Sequence, residues 1–320
     1  PVTGGYLLKI DRLDPGDTGL AAGGVTLAHV DPKEREIRLT QRRPQQPYIR
    51  DYITAFYKAL TATNWLDPLL GYRAYIDVDA AIDYHVLEVL SGNVDALVLS
   101  AYLHKPRNGK ITFGPHWDFD RALGSTDGRD SNPRLWGTGP FFSAGWWNRM
   151  FTDKNFWQQW VDRWQELRET HFALANLHGL IDQLAAEVRQ AQPREFAKWR
   201  ITLRGGSYES EVRLMKNWLS NRIDFIDRQL TQPPRFSRLG GSIAPGFVLL
   251  LTNPPNASIY YTLNGSDPRS PTGGVSANAL NYAGPITLNG NARVVARAYD
   301  PTKRQSGGPP ALSSTPWSRP

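Results

Sequence analysis

Residues 93–121 read NVDALVLSAYLHKPRNGKITFGPHWDFDR. Two runs in this stretch, 96–104 and 110–117, carry the β-branched and aromatic residues of strands, and Pro106-Arg-Asn-Gly109 between them is a hairpin turn. Acidic residues bracket the predicted hairpin. Asn93-Val-Asp95 precedes it, and Gly114-Pro-His-Trp-Asp118-Phe-Asp120-Arg121 closes it. Two carboxylates one residue apart after a strand can face one cavity where the backbone is irregular. Such a pair suits a hard divalent cation, because Mg²⁺ takes carboxylate oxygens and keeps several waters. Asp95 becomes a third carboxylate if the hairpin folds back on itself. The alternative is structural: Asp118 and Asp120 cap the loop or pair with Arg121 or Arg129.

Moving upstream, Asp77 is placed to cap a helix over 78–90, with Ile82, Val86, Val89 and Leu90 on its core face and Ser91-Gly92-Asn93 as its end. A helix is predicted over 48–60, started by Pro47, with Ile49, Ile53, Phe56 and Leu60 on one face. Strands are predicted over 5–10 and 36–40. Downstream, a Gly/Ser/Asp-rich loop over 124–140 leads into a helical block. There Phe156, Trp157, Trp160, Trp164 and Leu167 follow helical spacing behind Asp153, and this stripe reads as core. Leu177, Leu180, Ile181, Leu184 and Val188 mark a second helix. Val212, Met215, Leu219, Ile223, Ile226 and Leu230 mark a third.

Composition changes near Gln232-Pro-Pro-Arg-Phe236. Ten of the eleven Trp and all six His lie before residue 220, and no Glu follows Glu211. Beyond the Pro-Pro turn come short β-rich runs over 247–251, 258–262, 285–288 and 292–299, separated by Asn/Pro/Gly clusters. The organisation expected is α+β: a mixed module over 1–232, then an all-β sandwich over 237–320.

Several classes are excluded. The chain has no Cys, which removes thiol chemistry and Cys-ligated metals. No two His are four apart, so a His-Glu-x-x-His zinc helix is absent. The longest apolar run, Phe247 to Leu251, is far below the roughly 20 residues of a membrane helix. The net charge of +7 is mostly a property of the tail, where seven Lys/Arg face two Asp, and no more than two basic residues are adjacent. Nucleic acid is therefore not the expected partner.

The order of the acidic residues resembles phosphotransferases. In protein kinases a catalytic-loop Asp precedes the metal-binding Asp of Asp-Phe-Gly. Here Asp95 precedes Asp118-Phe-Asp120 by one short hairpin. Gly4-Gly-Tyr-Leu-Leu-Lys-Ile-Asp11, Ile76-Asp-Val-Asp-Ala-Ala-Ile-Asp-Tyr84, Asn93-Val-Asp95 with Ser100 and Tyr102, and Gly114-Pro-His-Trp-Asp-Phe-Asp120 resemble the spore coat protein H (CotH) kinase family. Trp147-Asn-Arg-Met-Phe151 and Arg163-Trp-Gln-Glu-Leu-Arg168 fit its helical part. The likeness covers about residues 4–230. It implies an atypical kinase-like fold and ATP- and Mg²⁺-dependent transfer of phosphate to Ser or Thr of a partner protein. Asp95 would be the catalytic aspartate and Asn93 its helper. Asp118 and Asp120 would hold the metal. The family's upstream basic region has no counterpart here, so the expected module lacks part of its N-lobe.

Pro245-Gly-Phe-Val-Leu-Leu250, Ile259-Tyr-Tyr-Thr-Leu-Asn-Gly-Ser-Asp-Pro-Arg269, Tyr282-Ala-Gly-Pro-Ile286 and Val295-Ala-Arg-Ala-Tyr299 resemble the chitobiase/β-hexosaminidase C-terminal domain. That likeness implies an Ig-like sandwich of secreted bacterial enzymes. With it come an expected extracellular or cell-surface location and contact with surface polysaccharide. Two other functions fit the residues less well. One is a catalytically silent interaction or matrix protein. The other is a carbohydrate hydrolase, against which the Asp118/Asp120 spacing suits a metal better than an acid/base pair.

Overall fold

The computed structural model describes residues 2–136, 140–303 and 315–320. The described residues form two compact units, one ending at Asp153 and the other starting at Lys154. The class is α+β, as expected, with an all-β region at the C-terminal end. This division falls at the start of the Trp-rich helix, far from the Pro-Pro turn at 233–234.

Unit one is built on an antiparallel five-stranded sheet. Its strands are β1 (Tyr6–Ile10), β2 (Leu20–Ala22), β3 (Val25–Asp31), β4 (Ala101–Lys105) and β5 (Thr112–Phe113), in the order β2-β3-β1-β4-β5. Strand β1 is central, with Leu8 opposite His29 on one side and Leu103 on the other. Tyr6 and Leu8 alternate inward on β1 and are buried. The β2–β3 hairpin turns on Gly23 and Gly24, both at positive φ (60° and 78°), as a two-residue hairpin loop requires.

Four helices complete the unit: α1 (Glu34–Ile37), α2 (Gln45–Thr61), α3 (Val78–Ser91) and α4 (Gly145–Met150). On α2, Ile49, Ile53, Phe56 and Leu60 are buried, as the spacing predicts. On α3, the Asp77 side chain accepts from the Ala80 amide at 3.1 Å, and Gly92 ends the helix in the left-handed region.

Three strand expectations change, one of them the run 110–117, in which the strand is only Thr112–Phe113. The segment 36–40 is not a strand: its first two residues end the short helix α1, whose Glu34 is fully buried and accepts from the Thr18 and Gly19 amides, the Thr18 hydroxyl and Arg38. That wiring draws the segment into a turn. The strand expected over 96–104 starts at Ala101, because Leu97 and Ser100 sit at φ 71° and 53°, where a strand cannot continue.

Unit two begins with α5 (Lys154–Glu169), α6 (Leu174–Val188), α7 (Gln192–Trp199) and α8 (Tyr208–Gln229). The Trp stripe is core: Trp157, Trp160 and Trp164 are fully buried and stack in succession at 5.1 and 5.7 Å. Trp164 Nε1 donates to Asp227 of α8 at 2.8 Å. Helix α6 forms, but its Leu180, Leu184 and Val188 are half-exposed. The rest of the unit is β: β6 (Arg235–Phe236), β7 (Phe247–Leu249), β8 (Leu251–Thr252), β9 (Ser258–Thr262), β10 (Leu280–Asn281), β11 (Ile286–Leu288) and β12 (Val295–Tyr299). They make sheets β10-β9-β12, β11-β7 and β6-β8 around Leu249, Leu251, Ile259, Ile286, Leu288 and Ala296. Among the described residues, no helix is long and apolar enough to cross a membrane.

Within unit two the β region is fastened to α5 by Arg297 and by Arg269, which donates to the Asn155 side chain and the Lys154 carbonyl. Arg297 of β12, 4% exposed at its side chain, pairs through both terminal nitrogens with Asp162 of α5 at 2.7 and 2.8 Å. Its Nε also donates to Asp267 at 2.7 Å. Removing a buried partner from such a pair typically costs about 3–5 kcal/mol. The carboxylates here keep some solvent, which places the cost at the lower end. Arg297→Ala is expected to lower stability by about 3 kcal/mol in urea denaturation of the full chain. A change within about 0.5 kcal/mol, the usual range for a surface substitution, contradicts this account.

Candidate functional site

The site is assembled from two loops at one end of the β4–β5 hairpin. Loop one runs from the end of α3 to β4 and carries Asn93, Asp95 and Ser100. Loop two follows β5 and carries His116, Asp118, Asp120 and Arg121. A backbone bond from Gly114 N to Tyr102 O, 2.8 Å, holds loop two against β4 as it leaves the sheet.

Asp118 sits at φ 63°, a left-handed conformation that costs a non-glycine residue about 1–3 kcal/mol unless its surroundings impose it. Here they do. Asn93, 1% exposed, donates its side-chain amide to the Asp118 carbonyl at 3.4 Å. Ser100, itself left-handed, donates its hydroxyl to Asp118 Oδ2 at 3.2 Å. The loop-one residue at the hairpin's entry thus orients the carboxylate at its exit.

Asp120 is exposed, as Asp118 is, with a side chain 67% accessible. Its carboxyl is held above the ordinary aspartate range by local burial, by Asp118 and by Asp95, with Arg121 opposing. Because the group is largely exposed, the neighbouring charges are the more telling cause. They show Asp95, Asp118 and Asp120 close enough to feel one another.

Asp95 is engaged by guanidinium groups. Arg129 reaches both of its oxygens, at 2.8 and 3.3 Å, and Arg121 reaches Oδ2 at 3.3 Å. The same two arginines contact Asp127, at 2.5 and 3.6 Å. Hydrogen bonds to Asp127 and Asp95 raise the Arg129 pKa, and those to Arg129 lower that of Asp127. Arg121 and Arg129 thus engage Asp95 and Asp127, with Asp120 3.9 Å from Arg121, while Asp118 is held by Ser100 and Asn93 instead.

Among the described residues, no group of three or more His, Asp or Glu side chains is gathered to hold a metal ion. Asp118 and Asp120 form a pair rather than a cage. That donor set fits Mg²⁺, which commonly binds through one or two carboxylates and completes its shell with waters and substrate phosphates. Of the pairings considered from sequence, Arg121 lies 3.9 Å from Asp120, while Arg129 turns to Asp95 and Asp127.

Beneath the site lies a contact that sequence reasoning missed. Glu88 of α3, 1% exposed, meets His116 Nδ1 at 3.0 Å. Burial pushes the Glu88 carboxyl up, and His116, Asn93 and Tyr84 oppose that shift. The His116 ring stacks on Tyr84 with centroids 4.8 Å and planes 8° apart. Partners 28 residues apart leave no local signal in the chain.

The CotH kinase protein model matches residues 2–226, and a model described as Fn3 associated matches residues 248–307. The first match spans well over half the chain, and the chain belongs to the CotH kinase protein family. No curated protein matches it.

The carboxylate coupling is directly measurable. Asp118→Asn removes a neighbouring negative charge, so the Asp120 pKa is expected to fall toward the ordinary aspartate value in a carbon-detected NMR titration. An unchanged Asp120 titration contradicts the proximity described.

Proposed function

We propose that this chain is a phosphotransferase of the atypical kinase type, moving the γ-phosphoryl group of ATP to a Ser or Thr hydroxyl of a protein. The observation that carries the reading is that loops one and two come together at one end of the hairpin, with Ser100 on Asp118 and Arg121 on Asp95, so that Asp95, Asp118 and Asp120 share one neighbourhood. The reading also rests on membership of the CotH kinase protein family.

In this reading Asp118 and Asp120 hold Mg²⁺, which would supply charge neutralisation for the phosphates. Asp95 orients the acceptor hydroxyl and takes its proton as the new oxygen–phosphorus bond forms; the β–γ bridging oxygen leaves with ADP. Asn93 acts one step back, by fixing the Asp118 backbone. Arg121 and Arg129 are cations within reach of transferred phosphate, and one of them must leave Asp95 for the hydroxyl to approach. Such a site works by positioning and electrostatics, with little covalent chemistry of its own.

The acceptor is inferred to be a coat or surface protein, and the location extracellular or cell-surface, in keeping with a spore coat family. A kinase-like arrangement of unit one and an Ig-like arrangement of the tail belong to the same proposal. So do the chitobiase-like character of the tail and its contact with surface polysaccharide. A catalytically silent interaction protein is the second reading, favoured by the arginines that occupy Asp95.

The deciding assay is phosphate incorporation from labelled ATP with Mg²⁺ into a generic Ser/Thr acceptor or into the chain itself. Asp95→Ala and Asp118→Ala are each expected to lower incorporation at least about 100-fold while leaving the near-UV circular dichroism unchanged. Equal incorporation by wild type and Asp118→Ala overturns the assignment. Absence of incorporation by the wild type, together with no rise in melting temperature on adding Mg²⁺ and ATP, supports the silent reading.

A further inference from the structure

Tyr84, Glu88 and Ser91 occupy one face of α3, at i, i+4 and i+7. Each meets loop two. Tyr84 carries the His116 ring, Glu88 Oε1 faces His116 Nδ1, and the Ser91 carbonyl accepts from the Leu123 amide at 2.8 Å. Two residues further on, past the Gly92 cap, Asn93 donates to the Asp118 carbonyl. The loop is thereby fastened at 116, 118 and 123, on both sides of Asp118 and Asp120.

Glu88 is a costly residue for this place. Its side chain is 1% exposed, and beyond His116 the carboxyl has only Tyr84 and Asn93 as weaker polar neighbours. Buried acids paired in this manner are often matched in stability by apolar residues of similar volume. What an apolar residue cannot do is accept a hydrogen bond from an imidazole and so fix its rotation. His116 in turn keeps a third of its side chain exposed, so packing alone does not account for it.

We propose that Glu88 and His116 are positioning residues for the Asp118–Asp120 pair. Glu88 fixes the His116 ring on Tyr84, and the ring anchors the backbone two residues before Asp118, sustaining its left-handed conformation. The inference rests on the reading of the pair as a divalent-cation site. It follows the general pattern in which residues behind a metal's ligands set their orientation, with losses of 10- to 100-fold in affinity when they are removed.

The test uses Mn²⁺ alone as the probe and the full chain without nucleotide, with free Mn²⁺ followed by electron paramagnetic resonance. His116→Ala and Glu88→Ala are each expected to weaken Mn²⁺ binding about 10- to 100-fold. The double variant is expected to bind no worse than the weaker single, because the two act as one unit. His116→Asn keeps a donor near the Nδ1 position, and Glu88→Gln keeps an acceptor. Both are expected to stay within about threefold of wild type, well inside the loss that removing such a residue causes. Should His116→Ala fail to fold, His116→Phe takes its place, since it keeps the ring on Tyr84 and removes only the hydrogen bond; it is expected to bind weakly. If Asp118→Ala abolishes binding while the Ala and Phe variants bind like wild type, the positioning role is overturned and the cation site stands. If wild type does not bind, or Asp118→Ala binds equally well, the cation site falls and the positioning role with it.

Discussion

The carboxylates of Asp95, Asp118 and Asp120 repel one another, and unit one holds them together all the same. Burial, then Asp118 and Asp95, raise the Asp120 pKa, and Arg121 and Arg129 offset the charge of Asp95. Holding like charges close needs a frame that cannot relax. The β1–β4–β5 ladder fixes the two ends of the hairpin. Helix α3 fastens the loop beyond it. In the proposed reading a divalent cation would offset the charge of Asp118 and Asp120.

Much of this frame is legible in the sequence, and where it is legible the signal is local. Asp77 as a cap, the apolar faces of α2 and α3, and the Trp stripe of α5 depend on residues within one or two turns. Their expectations agree with the structure. The β2–β3 hairpin was not predicted, although Gly23-Gly24 is a two-residue turn signal between apolar runs. The segment 36–40 alternates like a strand, but the buried Glu34 beside it accepts from Thr18 and Gly19 and bends the chain. The left-handed Leu97 and Ser100 shorten β4 for a reason no propensity carries: they turn loop one so that Ser100 meets Asp118.

The site divides the same way. Asp118 and Asp120 are readable because they stand one residue apart in a strand-end motif. Asp95 is readable from its order ahead of the hairpin. Glu88 and His116 are not, since they meet across 28 residues, and Arg129, named from sequence as a partner for Asp118 or Asp120, binds Asp127 and Asp95 instead. The available hint was an acid within a largely apolar helix, and Glu88 stands in sequence beside Val86, Val89 and Leu90, all buried. Such a residue marks a place where the fold gives up stability for geometry.

The central claim is that Asp118 and Asp120 share one divalent cation with the phosphates of a nucleotide, facing Asp95. The most direct measurement is anomalous X-ray diffraction from crystals of the chain grown with Mn²⁺ and a non-hydrolysable ATP analogue. The account predicts one anomalous peak within about 2.1–2.4 Å of both carboxylates. It also predicts triphosphate oxygens on the same ion and the Asp95 carboxylate turned toward the terminal phosphate. A Mn²⁺–nucleotide complex bound elsewhere, or a pair that carries no peak while the nucleotide is bound, contradicts it.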